Sequence, residues 1–339
     1  MEQSFASLSL GAPQVHRNIV VFPIISPPAG AVRWLTLGEA LEQQILTITE
    51  VSQGGSVPDL AVINRADCPV LLLDGEELIG AKQNRVLNTT ILVKERSETV
   101  VPVSCTEHGR WSYVSAVFAD SKVVMAHKVR ARKSRSVSES LAASAGYKSD
   151  QGEVWSEIAS LHSSAGTSSP TGAMQDAFKA RERELEQSLG TFTAVPGQTG
   201  LLVVIDDNVA GFDHIPHPEI YARQHGKLVK SYLIDSIAES NPRPASPDTA
   251  AAKAAEFLRA AAACSVRKFP SVGHGTDCRY RSAPHPSTTV PQPSPICGAA
   301  LVHEDQIVHA AFFSLTVDSK PAPADIMRPL AWRKRRFTE

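Results

Sequence analysis

The sequence lacks an excess of charge of either sign and lacks any long apolar run. Its 34 Lys and Arg residues almost balance its 35 Asp and Glu residues, so no basic surface for duplex nucleic acid or an anionic membrane is expected. No stretch approaches the roughly eighteen consecutive apolar residues of a membrane span. Residues 1–13 lack the basic and apolar regions of a secretory signal. These absences predict a chain that neither enters a membrane nor binds nucleic acid.

Cysteine is also scarce, and its five copies are scattered along the chain without a CxxC pair. This pattern predicts reduced thiols in the cytoplasm, with neither a disulfide framework nor a zinc knuckle. The chain contains no GxxxxGK(S/T) phosphate loop and no HExxH or DxDxDG spacing. We therefore predict no cofactor and no metal site.

The order of apolar runs, turns and helical periods is typical of an α+β protein. Short strands separated by turns fill the first third, which predicts a largely antiparallel sheet. Helices are predicted in the middle, where Asp150 and Glu153 have capping spacing, and a hairpin across Glu304–Asp305 follows near the C-terminus. We predict one α+β domain over residues 15–318 and a disordered basic tail at 319–339.

Three local expectations concern where polar segments lie. Asp74-Gly75 is a hairpin signal, because both residues tolerate positive φ. The Arg- and Ser-rich segment 129–140 is expected to be a mobile surface segment. The histidines near 214–225 are expected to lie at the surface rather than bind a metal.

The densest polar stretch is DGEELIGAKQNR at residues 74–85, in which seven of twelve side chains are charged or amides. Apolar runs flank it, and polar groups beside a core strand must find partners or solvent. Cations and amides suit phosphate and sugar groups, and glycines leave backbone N–H groups available to anions. The predicted ligand-binding residues of this stretch are Lys82, Gln83, Asn84 and Arg85. We expect the cations Lys82 and Arg85 to be solvent-exposed.

Glu76 and Glu77 in the same stretch are candidate general acid–base groups. Adjacent residues of a strand face opposite sides, so only one of them can point into a site. The alternative interpretation of the whole stretch is a salt-bridged hairpin that serves only as scaffold.

Two further stretches are dense in polar residues: VPVSCTEHGRW at 101–111 and GHGTDCR at 273–279. In the first, Glu107 is a third candidate catalytic residue, and Arg110 with Trp111 suits a planar anionic ligand. In the second, Asp277 and Arg279 are predicted to contact the ligand from a glycine-rich turn. We expect the three stretches to converge around one pocket.

Cys105 and His108 suggest a thiolate–imidazole pair. A cysteine at the end of a strand is more often a small buried apolar residue, and we favour that interpretation.

The polar stretches, in this order, resemble the bacterial ADP-ribosylglycohydrolase and rhodanese-phosphatase-associated protein family. The resemblance includes SDQGEVW at 149–155 and the segment 211–237, and it runs from about residue 15 to 315. It implies an ADP-ribose-like or nucleotide-like ligand and a protein partner from ADP-ribose or phosphate metabolism. It assigns no catalytic residue. His108 replaces the amide that is usual in the family, and the Pro-rich stretch 284–295 is interpreted as a loop insertion.

The sequence thus predicts a protein that binds, and in one version processes, a phosphorylated or ribosylated small molecule. The alternative is a non-enzymatic sensor or protein-interaction module that uses the same polar residues as a docking surface. Gathering of the polar stretches around a concave pocket favours the first function, and their dispersal over a flat face favours the second.

Overall fold

The structure is a computed structural model that describes residues 5, 7–27, 29–30, 34–52, 54–239, 242–283 and 294–315. The predicted basic tail lies outside the described residues, as does the Pro-rich stretch apart from its last two residues. Strands and helices are mixed along the described chain, and the sheets are mostly antiparallel. The predicted α+β class is therefore confirmed.

The described residues form eighteen strands and seven helices. The strands are β1 (Ser9–Leu10), β2 (Gln14–His16), β3 (Ile19–Ile25), β4 (Leu35–Thr36), β5 (Leu46–Glu50), β6 (Asp59–Asn64), β7 (Val70–Leu72), β8 (Glu76–Gly80), β9 (Arg85–Leu87), β10 (Ile91–Val93), β11 (Ser97–Cys105), β12 (Phe118–Val124), β13 (Gln198–Ile205), β14 (Asn208–His214), β15 (Ser265–Pro270), β16 (Thr276–Arg281), β17 (Ile296–His303) and β18 (Gln306–Ser314). The helices are α1 (Leu37–Glu42), α2 (His127–Ala142), α3 (Gln151–Ala165), α4 (Met174–Ala180), α5 (Glu182–Leu189), α6 (Pro218–Ile237) and α7 (Pro247–Ala262). Among the residues that the structure describes, no helix combines the length and apolar composition that a membrane crossing requires.

Nine strands form one antiparallel sheet in the order β1-β3-β13-β14-β18-β17-β16-β15, and β2 also pairs with β3. Alternate residues of a strand point to opposite faces. In β3, Val21 packs into a core shared with α2 and α6, whereas Phe22 packs into a second core shared with α7. Helices therefore cover both faces, which explains why the central strands read as continuous apolar runs.

A second sheet has the order β12-β8-β9-β11-β6-β5, with each strand antiparallel to its neighbour. Its edge strands β5 and β12 come within 8 Å of each other, Cα to Cα, without pairing. The sheet thus curls into an incompletely closed barrel around a core that contains Ile48, Leu87 and Val103. A small sheet of β10, β7 and β4 adds Leu72 and Ile91 to that core.

The predicted turn at Asp74-Gly75 is present, with Gly75 at φ +85°, but the hairpin prediction is wrong. β7 precedes the turn in the small sheet, and β8 follows it in the barrel. Distant segments bind the backbone of the turn: the Gly75 N–H donates to the Leu87 carbonyl, and the Gly75 carbonyl accepts from the Met125 N–H. Tertiary pairing therefore overrides the local signal, which fixes a turn but not the partner of each strand.

The expectation of a mobile surface segment at 129–140 is also wrong. The segment lies within α2, where Val129 packs into the main core and Val137, Arg130 and Lys133 are fully buried. The two cations meet buried carboxylates, described below, so their polarity does not place them at the surface.

The expectation of a hairpin near the C-terminus and the expectation of surface histidines have opposite outcomes. The hairpin near the C-terminus is confirmed, because β17 pairs with β18 across Glu304 and Asp305, which both have positive φ. His214, His217 and His225 are buried rather than at the surface. His214 lies on β14, a central strand of the nine-stranded sheet, and His225 lies on α6, which packs into the main core.

Candidate functional site

The polar side chains of residues 74–85 are buried, apart from the partly buried Lys82. The expectation of an exposed Arg85 is therefore wrong, since this residue is 0% exposed. The segment passes from a turn through β8 into β9, so its side chains enter separate neighbourhoods. Each neighbourhood has its own partners and its own chemistry.

Asp74 belongs to a buried charge network that joins the barrel to the nine-stranded sheet. Lys133 binds one of its carboxylate oxygens, and the Arg130 Nε lies 3.3 Å from the other. Arg130 also binds Asp213 of β14. Burial would raise the pKa of Asp74, but Lys133 and Arg130 hold it below its usual range. These charges satisfy one another, so the network is a structural junction rather than a ligand site.

Asp277 and Arg279 approach the same end of the 74–85 stretch. The Thr89 hydroxyl donates to the Asp277 carboxylate over 2.6 Å, and the Arg279 Nη2 donates to the Thr89 hydroxyl over 2.8 Å. Arg279 also donates to Asp277 through Nε and Nη2, at 2.5 and 2.9 Å. Both residues are buried. Asp74, Thr89 and Asp277 line one small cavity, so the GHGTDCR stretch meets the first polar stretch at Asp74. Arg110 instead contacts Gly80, Ala81 and Asn84 toward the other end of that stretch.

Glu76 and Glu77 face different surroundings. The Lys227 Nζ of α6 lies 2.8 Å from Glu76 and 2.8 Å from Asp120, so one cation serves two carboxylates. Burial raises the pKa of Glu76. Glu77 accepts a hydrogen bond from the Thr106 hydroxyl at 2.7 Å, and burial raises its pKa to about 7. Glu77 pairs with Val86 and so lies on the face of the sheet opposite to Arg85, whereas Glu76 is bound by Lys227.

Arg85, Glu50 and Cys105 lie together at one end of the barrel interior. Each is two residues from an interior apolar residue on its own strand, namely Leu87, Ile48 and Val103, so strand alternation turns all three inward. The Arg85 Nη2 lies 3.9 Å from the nearer Glu50 oxygen, and Nη1 donates to the Gln83 side chain over 2.9 Å. We call this end the barrel mouth.

Lys82, Trp111 and Tyr113 form the rim of the barrel mouth. The Lys82 Nζ donates to the Gly54 carbonyl over 2.6 Å and lies 5.2 and 5.1 Å from the ring centres of Trp111 and Tyr113. The Arg85 guanidinium lies 5.6 Å from the Trp111 ring centre. Trp111 and Tyr113 remain 48% and 50% exposed. An aromatic surface that is open to solvent thus covers a buried cation.

Glu107, Arg110 and Asn84 fix the loop that carries Trp111. Arg110 donates to Glu107 through Nη2 over 2.6 Å, to the Ala81 carbonyl over 2.7 Å and to the Asn84 side chain over 3.1 Å. Glu107 also accepts the Asn84 backbone N–H, and Arg110 with Thr171 holds its pKa low despite burial, which acts to raise it. These residues support the barrel mouth and do not line it.

Cys105 and His108 do not form a pair. The His108 ring packs edge-on against Trp155, with ring centres 4.4 Å apart, and burial raises the pKa of the Cys105 thiol. Cys105 is instead a buried neighbour of Arg85. A thiolate nucleophile is thus not supported.

The barrel mouth contains buried polar atoms without hydrogen-bond partners, which distinguishes it from the Asp74 network. Among the described residues, the Arg85 Nε and Nη2 and both Glu50 carboxylate oxygens have no hydrogen-bond partner. Buried polar atoms without partners cost free energy, and four such atoms lie close together here. In the described part of the chain, no three His, Cys, Asp or Glu side chains come together as metal ligands would.

Sequence reasoning missed Glu50 and Tyr113. The pattern Leu46-Thr47-Ile48-Thr49-Glu50 alternates, so it places Glu50 on the same face as two core residues. That parity was a usable signal. The proximity of Tyr113 to Lys82 depends on the path of an irregular loop and had no local signal.

Comparison with known proteins agrees with the resemblance seen in the sequence. A family model described as the ARG and Rhodanese-Phosphatase-superfamily-associated Protein domain matches residues 7–313. Searches of curated proteins and of solved structures found no significant match.

Proposed function

The chain belongs to the family of the ARG and Rhodanese-Phosphatase-superfamily-associated Protein domain, and on that premise we propose that its barrel mouth binds a phosphorylated or ribosylated small molecule. The ligand is ADP-ribose-like or nucleotide-like, the class implied by reading ARG as ADP-ribosylglycohydrolase. The observation that carries the proposal is the buried Arg85: two of its nitrogens have no hydrogen-bond partner within the described chain, and one of these lies 3.9 Å from Glu50.

Each group of the barrel mouth suits one part of such a ligand. The planar guanidinium of Arg85 offers Nε and Nη2 as a two-point donor for a phosphate oxygen pair. The carboxylate oxygens of Glu50, which have no hydrogen-bond partner among the described residues, accept hydrogen bonds from ribose hydroxyls. Trp111 and Tyr113 present half-exposed rings on which a base stacks. Mouths of β-barrels are also frequent ligand sites.

Binding without chemistry suits the barrel mouth better than catalysis. Glu77, whose pKa lies at about 7, is bound to Thr106 on the face of the sheet opposite to Arg85. The thiol of Cys105 is kept protonated by burial. We therefore favour a ligand-binding or sensor role over an enzyme that acts at this position.

A protein-docking role is the second candidate. Val114 and Val117 follow the aromatic residues and are 66% and 46% exposed. Together with Trp111 and Tyr113 they form an apolar rim of the kind that partner proteins bind. Under this alternative a partner, rather than a small molecule, covers the barrel mouth.

A thermal-shift screen with ADP-ribose, NAD, nucleotides and sugar phosphates tests the proposal. A ligand at a hundred times its Kd adds about 2.7 kcal/mol to the folded state, which raises Tm by roughly 5 °C for a chain of this size. Trp111→Ala and Arg85→Lys should abolish the shift, since the first removes the stacking surface and the second removes the forked donor but keeps the charge.

The control variant is Val100→Ala, because Val100 is also exposed (52%) but lies on β11 outside the barrel mouth. Its ligand-induced shift should equal that of the wild type. A shift that persists in Trp111→Ala and Arg85→Lys would place the ligand elsewhere. A screen without any stabiliser would leave the docking role as the better explanation.

A further inference from the structure

A second concave site lies between the C-terminal half of α2 and the edge strand β15 with its neighbour β16. It is a cavity of about 150 Å³, and none of the barrel-mouth residues lines it. Its walls include the hydroxyl residues Ser138 and Ser265 and the apolar surfaces of Phe269 and Cys297. The cavity is thus separate from the proposed ligand site and has its own chemistry.

Three arginines line this cavity from one face of the sheet. Arg267 and Arg279 are direct cross-strand partners, and Arg281 follows Arg279 by two residues and points to the same face. Like charges directly opposite each other on paired strands repel and destabilise the sheet. A group of opposite charge nearby relieves this repulsion.

The carboxylates nearby compensate only part of this charge. Arg279 pairs with Asp277, and the Arg281 Nη2 lies 3.1 Å from the Glu139 carboxylate. Glu139 is shared, because Arg135 also approaches it at 3.9 Å. Among the described residues Arg267 has no ion pair, and its guanidinium lies only against the Phe269 ring at 5.4 Å. Three guanidinium groups and a single carboxylate therefore line the cavity.

One of the three arginines, Arg279, is held in a fixed position by its neighbours. Arg279 is 5% exposed and is fixed by Asp277, by Thr89 and by the Tyr147 ring, whose centre lies 5.7 Å from its guanidinium. A donor that is already ordered loses little entropy when it binds a ligand. The volume is below the roughly 300 Å³ at which pockets for drug-sized ligands begin. It therefore suits a single oxyanion rather than a whole nucleotide.

We propose that Arg267, Arg279 and Arg281 form a second anion site, which binds one phosphoryl group. The planar donors of arginine match the oxygens of a phosphoryl group, and Ser138 and Ser265 add hydroxyl donors. The group is either free phosphate or the end of a small phosphate monoester. This inference does not depend on the barrel mouth, since the two sites share no residue.

Titration calorimetry with inorganic phosphate at low ionic strength tests the site. We expect saturable binding to the wild type that weakens by roughly tenfold or more in Arg267→Glu and in Arg281→Ala, because each change removes a charged donor. Arg267 and Arg281 are exposed, so both variants should keep the wild-type Tm. Arg183→Ala is the control, since Arg183 is an exposed arginine on α5, and it should bind phosphate as the wild type does.

The pattern of losses decides the outcome. Binding of both phosphate and glycerol 3-phosphate assigns the site to the end of a larger molecule, and binding of phosphate alone assigns it to the free ion. Either result supports the proposal. Absence of saturable binding, equal binding by Arg267→Glu and Arg183→Ala, or loss of binding in Trp111→Ala overturns it. The last result would move the phosphate to the barrel mouth without contradicting the function proposed there.

Discussion

Arg130 of α2 forms a two-point ion pair with Asp213 of β14: Nη1 donates to Oδ2 over 3.0 Å, and Nη2 donates to Oδ1 over 2.5 Å. Both side chains are fully buried. Tyr232 and His309 bind the same carboxylate, at 2.8 and 3.2 Å. Burial would raise the pKa of Asp213, but Arg130 and His309 hold it far below its usual range. The pair therefore anchors α2 to the nine-stranded sheet at a fully buried point.

Arg130→Met should destabilise the protein by about 3–5 kcal/mol, because it leaves the Asp213 charge buried without its main partner. Urea unfolding measures the loss. Arg183→Met is the matched control: Arg183 is exposed, and its change should stay within about 0.5 kcal/mol. A loss below about 1 kcal/mol for Arg130→Met would show that the pair does not anchor the helix.

The carboxyl group of Glu77 should make the folded state less stable as pH rises. Its pKa is about 7 in the folded protein against 4.5 in an ordinary environment, so the folded state binds more protons between these values. The contribution of Glu77 to the free energy of unfolding is fully present below pH 4.5 and is lost as pH rises through about 7. The free energy of unfolding should fall by about 3 kcal/mol across this window.

Glu77→Gln should remove this part of the pH dependence. Urea unfolding at several pH values, with each variant compared to the wild type, isolates the contribution of Glu77 from that of other titrating groups. Glu98→Gln serves as the control, since Glu98 lies exposed on β11, and it should leave the wild-type profile unchanged. Parallel profiles for Glu77→Gln and the wild type would contradict the assignment.

His214 should remain neutral at pH 5. Burial, together with His309 and His217, lowers its pKa to about 3 from the ordinary 6.5. Between these pKa values the unfolded state binds more protons than the folded state. The contribution of His214 to the free energy of unfolding is therefore fully present above pH 6.5, and it falls by up to about 1.4 kcal/mol per pH unit as the pH is lowered toward 3. Proton–nitrogen NMR of the imidazole measures the titration directly. A midpoint near 6.5 would show that His214 is hydrated.

Local signals in the sequence were sufficient to predict single helices and turns, but they did not predict which polar side chains are buried. The Asp150 side chain accepts the Glu153 N–H at the start of α3, as the capping spacing predicts, because a cap depends only on neighbouring residues. Arg130 and Lys133 misled the prediction, since their burial depends on carboxylates that lie 56 or more positions away along the chain. The same reason explains why Asp74-Gly75 fixed a turn but not a hairpin.

The candidate site was predictable only in part. Arg85 and Trp111 stand in recognisable polar stretches, and the structure brings them to 5.6 Å from each other. Asp277 and Arg279 instead contact Thr89, and Glu107 and Arg110 support a loop. Residue type indicates what a side chain can bind. Which side chains lie together at the barrel mouth depends on how the strands of the barrel pair, and the residue types do not reveal that pairing.

The most direct test of the barrel mouth as a ligand site is hydrogen–deuterium exchange with and without the most stabilising compound of the screen. We predict slower exchange in peptides that cover residues 54–58 and 106–117, the two loops that Lys82 connects beside Trp111. Trp111→Ala should abolish this protection. Protection confined to peptides from 127–132 and 205–210, which line a separate cavity of about 230 Å³, would contradict the account.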